Sequence, residues 1–130
     1  MSKSRAKLCQ VQSLKNNYCI ADQCVVAESF MDRLRGLIGK KLLRSGEGLL
    51  LSPCNDIHMW MMSIPIDVVF IKRQGQSKSG GIYQVTSLKE NLKPWRLLPV
   101  RDSLASDTLE LPAGSVATSH IQVGDELCIS

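Results

Sequence analysis

No uninterrupted apolar run in the 130-residue sequence approaches the roughly 18 residues that a membrane-spanning helix needs. The apolar stretches at 49–54 and 68–71 are short and flanked by polar or proline residues, so membrane insertion is not expected. An export signal is also lacking. The basic start Met1-Ser2-Lys3-Ser4-Arg5-Ala6-Lys7 is followed by no apolar run of about 7–15 residues. Residues 1–7 are therefore expected to form a disordered basic tail on a cytoplasmic, monomeric protein. Cysteine is present five times but never as CxxC, and an odd set of this kind in an unexported chain reads as reduced thiols used as small apolar residues. A strong excess of one charge is missing too. Sixteen Lys and Arg stand against twelve Asp and Glu, a net +4, well short of the dense basic stripes and motifs that announce nucleic-acid binding. No nucleic-acid partner is expected. Nucleophile elbows, phosphate-cradling glycine loops and metalloprotease helices are absent, and no internal repeat or linker divides the chain.

What is present reads as one domain, long enough to bury about two thirds of the surface its unfolded form exposes. Strand-like segments at 8–11 and 18–27 flank the turn residues Lys15-Asn16-Asn17. Ser29-Phe30-Met31-Asp32 places a hydroxyl cap before apolar residues at helical spacing, which predicts one short α-helix near residues 29–38. Residues 49–51, 56–62, 66–71, 82–86, 108–111 and 126–129 are further strand candidates. The polar, glycine-rich residues 73–81 read as a mobile hairpin loop, and 115–120 as one helical turn. The proline-broken stretch from Lys93 to Pro99 reads as a segment crossing the outside of the sheet. Many short strands and little helix define a mainly β domain.

The densest chemistry lies in Cys54-Asn55-Asp56-Ile57-His58-Met59-Trp60-Met61-Met62 and the following Pro65-Ile66-Asp67. Strand alternation sorts Ile57, Met59 and Met61 to one face and His58, Trp60 and Met62 to the other. Trp60 and Trp95 can form an aromatic platform, with Arg96 stacking or donating hydrogen bonds. Asp67 precedes four apolar residues and is expected to be drawn into the interior near Arg33 or Arg96, in a pairing more often structural than catalytic. An enzyme reading would use Cys54 as nucleophile, His58 as base and Asp56 or Asp67 as orienter. A zinc reading would use Cys54, His58 and His120, but separations of four and 62 residues fix no geometry. Neither is preferred. No catalytic residue, metal or cofactor is expected.

Seven pieces, in order, carry a family resemblance: Arg33-Leu34-Arg35-Gly36-Leu37-Ile38-Gly39, Gly46-Glu47-Gly48-Leu49-Leu50-Leu51, Ile57-His58 with Met62, Pro65-Ile66-Asp67-Val68-Val69-Phe70-Ile71, Pro94-Trp95-Arg96, Leu109-Glu110-Leu111-Pro112-Ala113-Gly114 and Val123-Gly124-Asp125. Together they resemble the prokaryotic family DUF192, from residue 27 to about 127. The resemblance implies a compact β-sandwich or barrel of jelly-roll type with one short helix, and no assigned activity or catalytic residues. The commoner form of the family has Met-Lys-Asn-Thr before its Pro-x-Asp, where this chain has Met62-Ser63-Ile64-Pro65, so a polar role for that Asn and Thr does not carry over. The functional expectation is a non-catalytic binding module that holds a small molecule or protein segment through His58, Trp60, Asp67, Trp95 and Arg96.

Overall fold

The computed structural model describes residues 7–27, 43–57, 64–93 and 100–130. The predicted first hairpin is present as β1 (Lys7–Ser13) and β2 (Cys19–Ala27), so the tail expectation of 1–7 gives up Lys7 to β1. In the turn between them, Asn17 takes φ 56, a left-handed conformation that asparagine tolerates better than most residues. Seven further strands follow among the described residues. They are β3 (Glu47–Leu51), β4 (Asp56–Ile57), β5 (Ile66–Ser77), β6 (Gly80–Leu92), β7 (Val100–Arg101), β8 (Asp107–Pro112) and β9 (Glu126–Ile129). A one-turn helix, α1 (Ser115–Ser119), stands where a single turn is expected. The helix expected at 29–38 lies outside the described residues.

The mainly β expectation is met by a closed barrel of order β1-β2-β3-β8-β5-β6-β9, sealed where β1 pairs with β9. Closure leaves the barrel no unpaired edge. β2 and β3 run parallel, whereas the other barrel pairings are antiparallel. A parallel pair needs a crossover connection rather than a tight turn. β4 and β7 form a separate two-stranded ribbon.

The loop expected at 73–81 is instead mostly strand. The β5–β6 ladder continues to Ser77 opposite Gly80, leaving only Lys78 and Ser79 as the turn. Cross-strand chemistry extends it: the Arg73 guanidinium lies 5.6 Å from the centroid of the Tyr83 ring and donates to its hydroxyl at 3.1 Å. Gly80 allows the ladder to finish against β9. A Cβ at that position would stand 2.5 Å from the Ile129 carbonyl oxygen.

Two apolar layers share the strands β3, β8 and β5. Inside the barrel pack Val11, Cys24, Leu50, Val69, Ile71, Leu109, Leu111 and Leu127, among others. On the outer face lie Leu49, Leu51, Ile66, Val68 and Phe70, joined by Cys54, Ile57, Val100 and Ala105 from the ribbon and its neighbours. Strands covered on both faces need apolar side chains in both directions. This is why Leu49-Leu50-Leu51 and Val68-Val69-Phe70-Ile71 are continuous runs rather than alternating ones.

Candidate functional site

Of the five residues expected to contact a ligand, Asp67 is described. His58, Trp60, Trp95 and Arg96 lie outside the described residues, as do Arg33 and the remainder of the strand expected at 56–62. The interior placement expected for Asp67 is found, and the side chain is fully enclosed. Its partners are backbone amides. Oδ1 accepts from Asn91 N at 2.8 Å, and Oδ2 accepts from Gly114 N at 3.1 Å and Val116 N at 2.9 Å. Alternation along β5 turns Asp67 into the barrel, opposite to the outward face of Ile66 and Val68. The carboxylate therefore ties β6 and the segment entering α1 to β5, and its oxygens are occupied by that role.

The outer layer holds a second buried carboxyl group, which sequence reasoning did not select. Glu110 on β8 is in register with Leu49 on β3 and with Val68 on β5, so it sits mid-sheet on the outer face with apolar neighbours on both sides. It is 1 % exposed, and its Oε2 has no hydrogen-bond partner among the described residues. Burial pushes its pKa up from 4.5 to about 8, so the neutral acid is the dominant form at neutral pH. The sequence signal is ambiguous. In Thr108-Leu109-Glu110-Leu111 the glutamate looks like the solvent side of an alternating strand, and only the covered outer face makes it internal. Its neighbour Thr108 is also buried and is satisfied, its hydroxyl donating to the Cys54 carbonyl at 2.7 Å.

The chain ends that border the undescribed segments are informative. Ile57 pairs with Val100 across β4 and β7, and Ile66 pairs with Leu92 across β5 and β6. The connection bearing His58 and Trp60 runs from Ile57 to Ile66, and the one bearing Trp95 and Arg96 runs from Leu92 to Val100. Both are strung between the same two rungs. Ile57, Ile66 and Val100 belong to the outer layer, and Leu92 packs against it.

Cys54 is buried in that layer and its thiol donates to the Asp56 carbonyl at 2.8 Å. The Asp56 carboxylate is 3.6 Å from the Arg101 guanidinium across the ribbon. His120 ends α1 in a left-handed conformation and is exposed, with its carbonyl accepting from Lys15 Nζ at 2.7 Å. Among the described residues, no three His, Cys, Asp or Glu side chains form a group suited to a metal ion. A cavity of about 330 Å³ opens at one end of the barrel between Tyr18, Ser45, Gly114 and Thr118. None of the sequence-selected residues lines it. Among the described residues no helix is long and apolar enough to cross a membrane.

Comparison with known proteins agrees with this architecture. The family model DUF192, Uncharacterized ACR, matches residues 13–129. The chain belongs to that family. A crystal structure of a protein of unknown function from Novosphingobium aromaticivorans DSM 12444 superposes with a TM-score of 0.72 at 19% identity, covering 94% of this chain and 84% of the other. A candidate transcription regulator from Sinorhizobium meliloti 1021 superposes with a TM-score of 0.76 at 18% identity, covering 97% and 96%. At such identities the likeness establishes the fold alone. No curated protein matches the chain.

Proposed function

We propose that this protein is a non-catalytic binding domain of the cytoplasm, acting as a monomer and holding a small molecule or protein segment over the outer layer of the barrel through His58, Trp60, Trp95 and Arg96. The observation that carries the reading is the shared anchorage of the two connections at the rungs Ile57–Val100 and Ile66–Leu92. Directly paired residues lie about 4.5–5.5 Å apart, and a chain reaches at most roughly 3.5 Å per residue. Trp60, three residues beyond Ile57, and Trp95, three beyond Leu92 and five before Val100, are carried on two connections that are tied to the outer layer at both ends. Glu110, buried in the same outer layer, adds support. A buried carboxyl oxygen that no described residue engages is costly in an apolar layer, and such costs concentrate where a protein does something other than fold. Asp67 is left out of the contact set because its oxygens already serve three amides.

The rival reading, a cysteine hydrolase or transferase, draws little from the geometry. The Cys54 proton is engaged with a main-chain carbonyl, and the Asp56 carboxylate faces Arg101. The test of binding uses a convenient fact: Trp60 and Trp95 are the only tryptophans in the chain. Intrinsic fluorescence of the intact protein, followed against a metabolite panel and against proteins recovered by pull-down, reads these two segments directly. A saturable change that disappears in Trp60→Ala and Trp95→Ala is expected. If every interaction recovered from the wild type persists unchanged in both variants, the proposed surface is wrong.

A further inference from the structure

Cys9 and Cys24, read from the sequence as ordinary reduced thiols, stand directly opposite each other on β1 and β2. Both side chains belong to the inner layer, so they share one face of the ladder. Opposed residues of an antiparallel pair have Cα atoms about 4.5–5.5 Å apart, inside the roughly 4.4–6.8 Å range over which a disulfide closes. Each thiol is the largest influence on the other's ionisation. Their access to solvent differs. Cys9 is 8 % exposed and borders an open groove of about 290 Å³ with Leu8, Gln10, Asp22 and Ser130. Cys24 is fully buried behind it, with its sulfur 3.4 Å from where a Cβ on Gly48 would stand.

The other three cysteines offer no equivalent pair. Cys19 and Cys128 flank Gln12 on opposite sides. That leaves them two strand spacings apart, about 9.5 Å, beyond the roughly 7 Å that a disulfide can bridge. Cys54 lies in the outer layer with its thiol bonded to Asp56.

We propose that Cys9 and Cys24 form a thiol–disulfide exchange site that admits small cationic or neutral disulfides through the groove at Cys9 and closes into a cross-strand disulfide. The Cys9 thiolate attacks one sulfur of the incoming disulfide, whose S–S bond breaks. One half leaves as a thiolate and takes a proton from water, and Cys9 keeps the other half as a mixed disulfide. Cys24 releases its proton to solvent and attacks the Cys9 sulfur, expelling the second half as a thiol. The protein dithiol loses two electrons and the small disulfide gains them. The order of attack follows from the pair itself. The hydrogen bond from Cys24 holds the Cys9 thiol below its ordinary range, while that same bond, burial and the charge on Cys9 push Cys24 upward. Once Cys9 is in a mixed disulfide its charge is gone, and of these three causes only burial still opposes ionisation of Cys24. The exposed Asp22 carboxylate on the groove sets the charge preference.

The full folded chain is incubated near neutral pH with cystamine or with the equally small anionic 3,3′-dithiodipropionate. It is then quenched in acid, alkylated with N-ethylmaleimide and mapped by mass spectrometry. The wild type is expected to yield Cys9 and Cys24 linked with loss of two hydrogens, several-fold faster with cystamine. Cys24→Ala is expected to hold one cysteamine on Cys9, and Cys9→Ala to leave Cys24 free. Asp22→Asn is expected to narrow the difference between the two reagents. If in the folded wild type cystamine modifies Cys19 while Cys9 and Cys24 remain unlinked, or links them only in denaturant, the exchange site is overturned. Equal rates for the two reagents overturn the charge preference.

Discussion

Buried carboxyl groups lie along the β5–β8 ladder both inside the barrel and in its outer layer, and two of them, Asp67 and Glu110, are treated in opposite ways. Asp67, inside, is met by three main-chain amides. Glu110, outside, has apolar register neighbours and an oxygen with no partner among the described residues. One strand alternation separates them, since Asp67 faces Leu111 across the ladder while the next residue, Val68, faces Glu110. Burial as such therefore does not say what a buried acid is for. Asp67 holds a barrel end together and is fully used, while Glu110 keeps one oxygen, Oε2, that no described residue engages. Ser13 Oγ is the other buried side-chain atom without a partner among the described residues, but a lone neutral hydroxyl is far cheaper to leave so.

The sharpest way to break this contrast is Asp67→Ala. It takes the acceptor from one buried amide, at Val116, and from two part-buried ones, at Asn91 and Gly114, at up to roughly 1–3 kcal/mol each, so a loss of about 3 kcal/mol is expected in urea unfolding. A loss below about 1 kcal/mol would mean that the amides find other partners.

Glu110→Gln comes next and acts in the opposite direction. The acid is raised from 4.5 to about 8 in the folded protein. Between those values the unfolded chain has released the proton and the folded chain has kept it, so wild-type stability falls as pH rises from about 4.5 to about 8 and levels off above. The fall is expected to be on the order of 4 kcal/mol. Glutamine removes this slope and raises stability at pH 8 by about 2 kcal/mol, since an unpartnered buried amide still carries a cost. Urea midpoints of both proteins at several pH values check the slope.

Thr108→Val keeps the shape of a satisfied outer-layer residue and removes its hydrogen bond to the Cys54 carbonyl. A loss of about 1 kcal/mol is expected, from the same unfolding measurement. Smallest of all is Asp56→Ala. Its ion pair with Arg101 spans 3.6 Å between exposed side chains, and such pairs contribute well under about 1 kcal/mol.

The sequence carried the inner barrel well and the outer layer poorly, for physical reasons. The first hairpin, the strands at 49–51, 66–71 and 108–111 and the last strand are all read from alternation or apolar runs, signals set by local side-chain periodicity. The β5–β6 hairpin is legible in the sequence, but the extension of its strands through residues 73–81 is not, because those residues are polar and glycine-rich. What extends it is the Arg73–Tyr83 contact and the close approach of Ile129 to Gly80, neither of which has a local signature. Asp67 is legible as an interior group from the apolar run behind it, whereas its amide partners come from β6 and the entry to α1, far away in the chain. Glu110 could not be found at all without knowing that the outer face is covered. That is a property of the barrel's packing and not of the strand.

The most direct measurement is the titration of the Glu110 side-chain carboxyl by carbon-13 NMR of the folded protein between pH 4 and 9, with Glu110→Gln supplying the assignment. An acid buried in an apolar layer, with Oε2 unpartnered among the described residues, is predicted to keep its proton through neutral pH and to titrate near 8. A midpoint near the ordinary 4.5 would show that the group is ionised and already paired, and the contrast between the two layers would be gone.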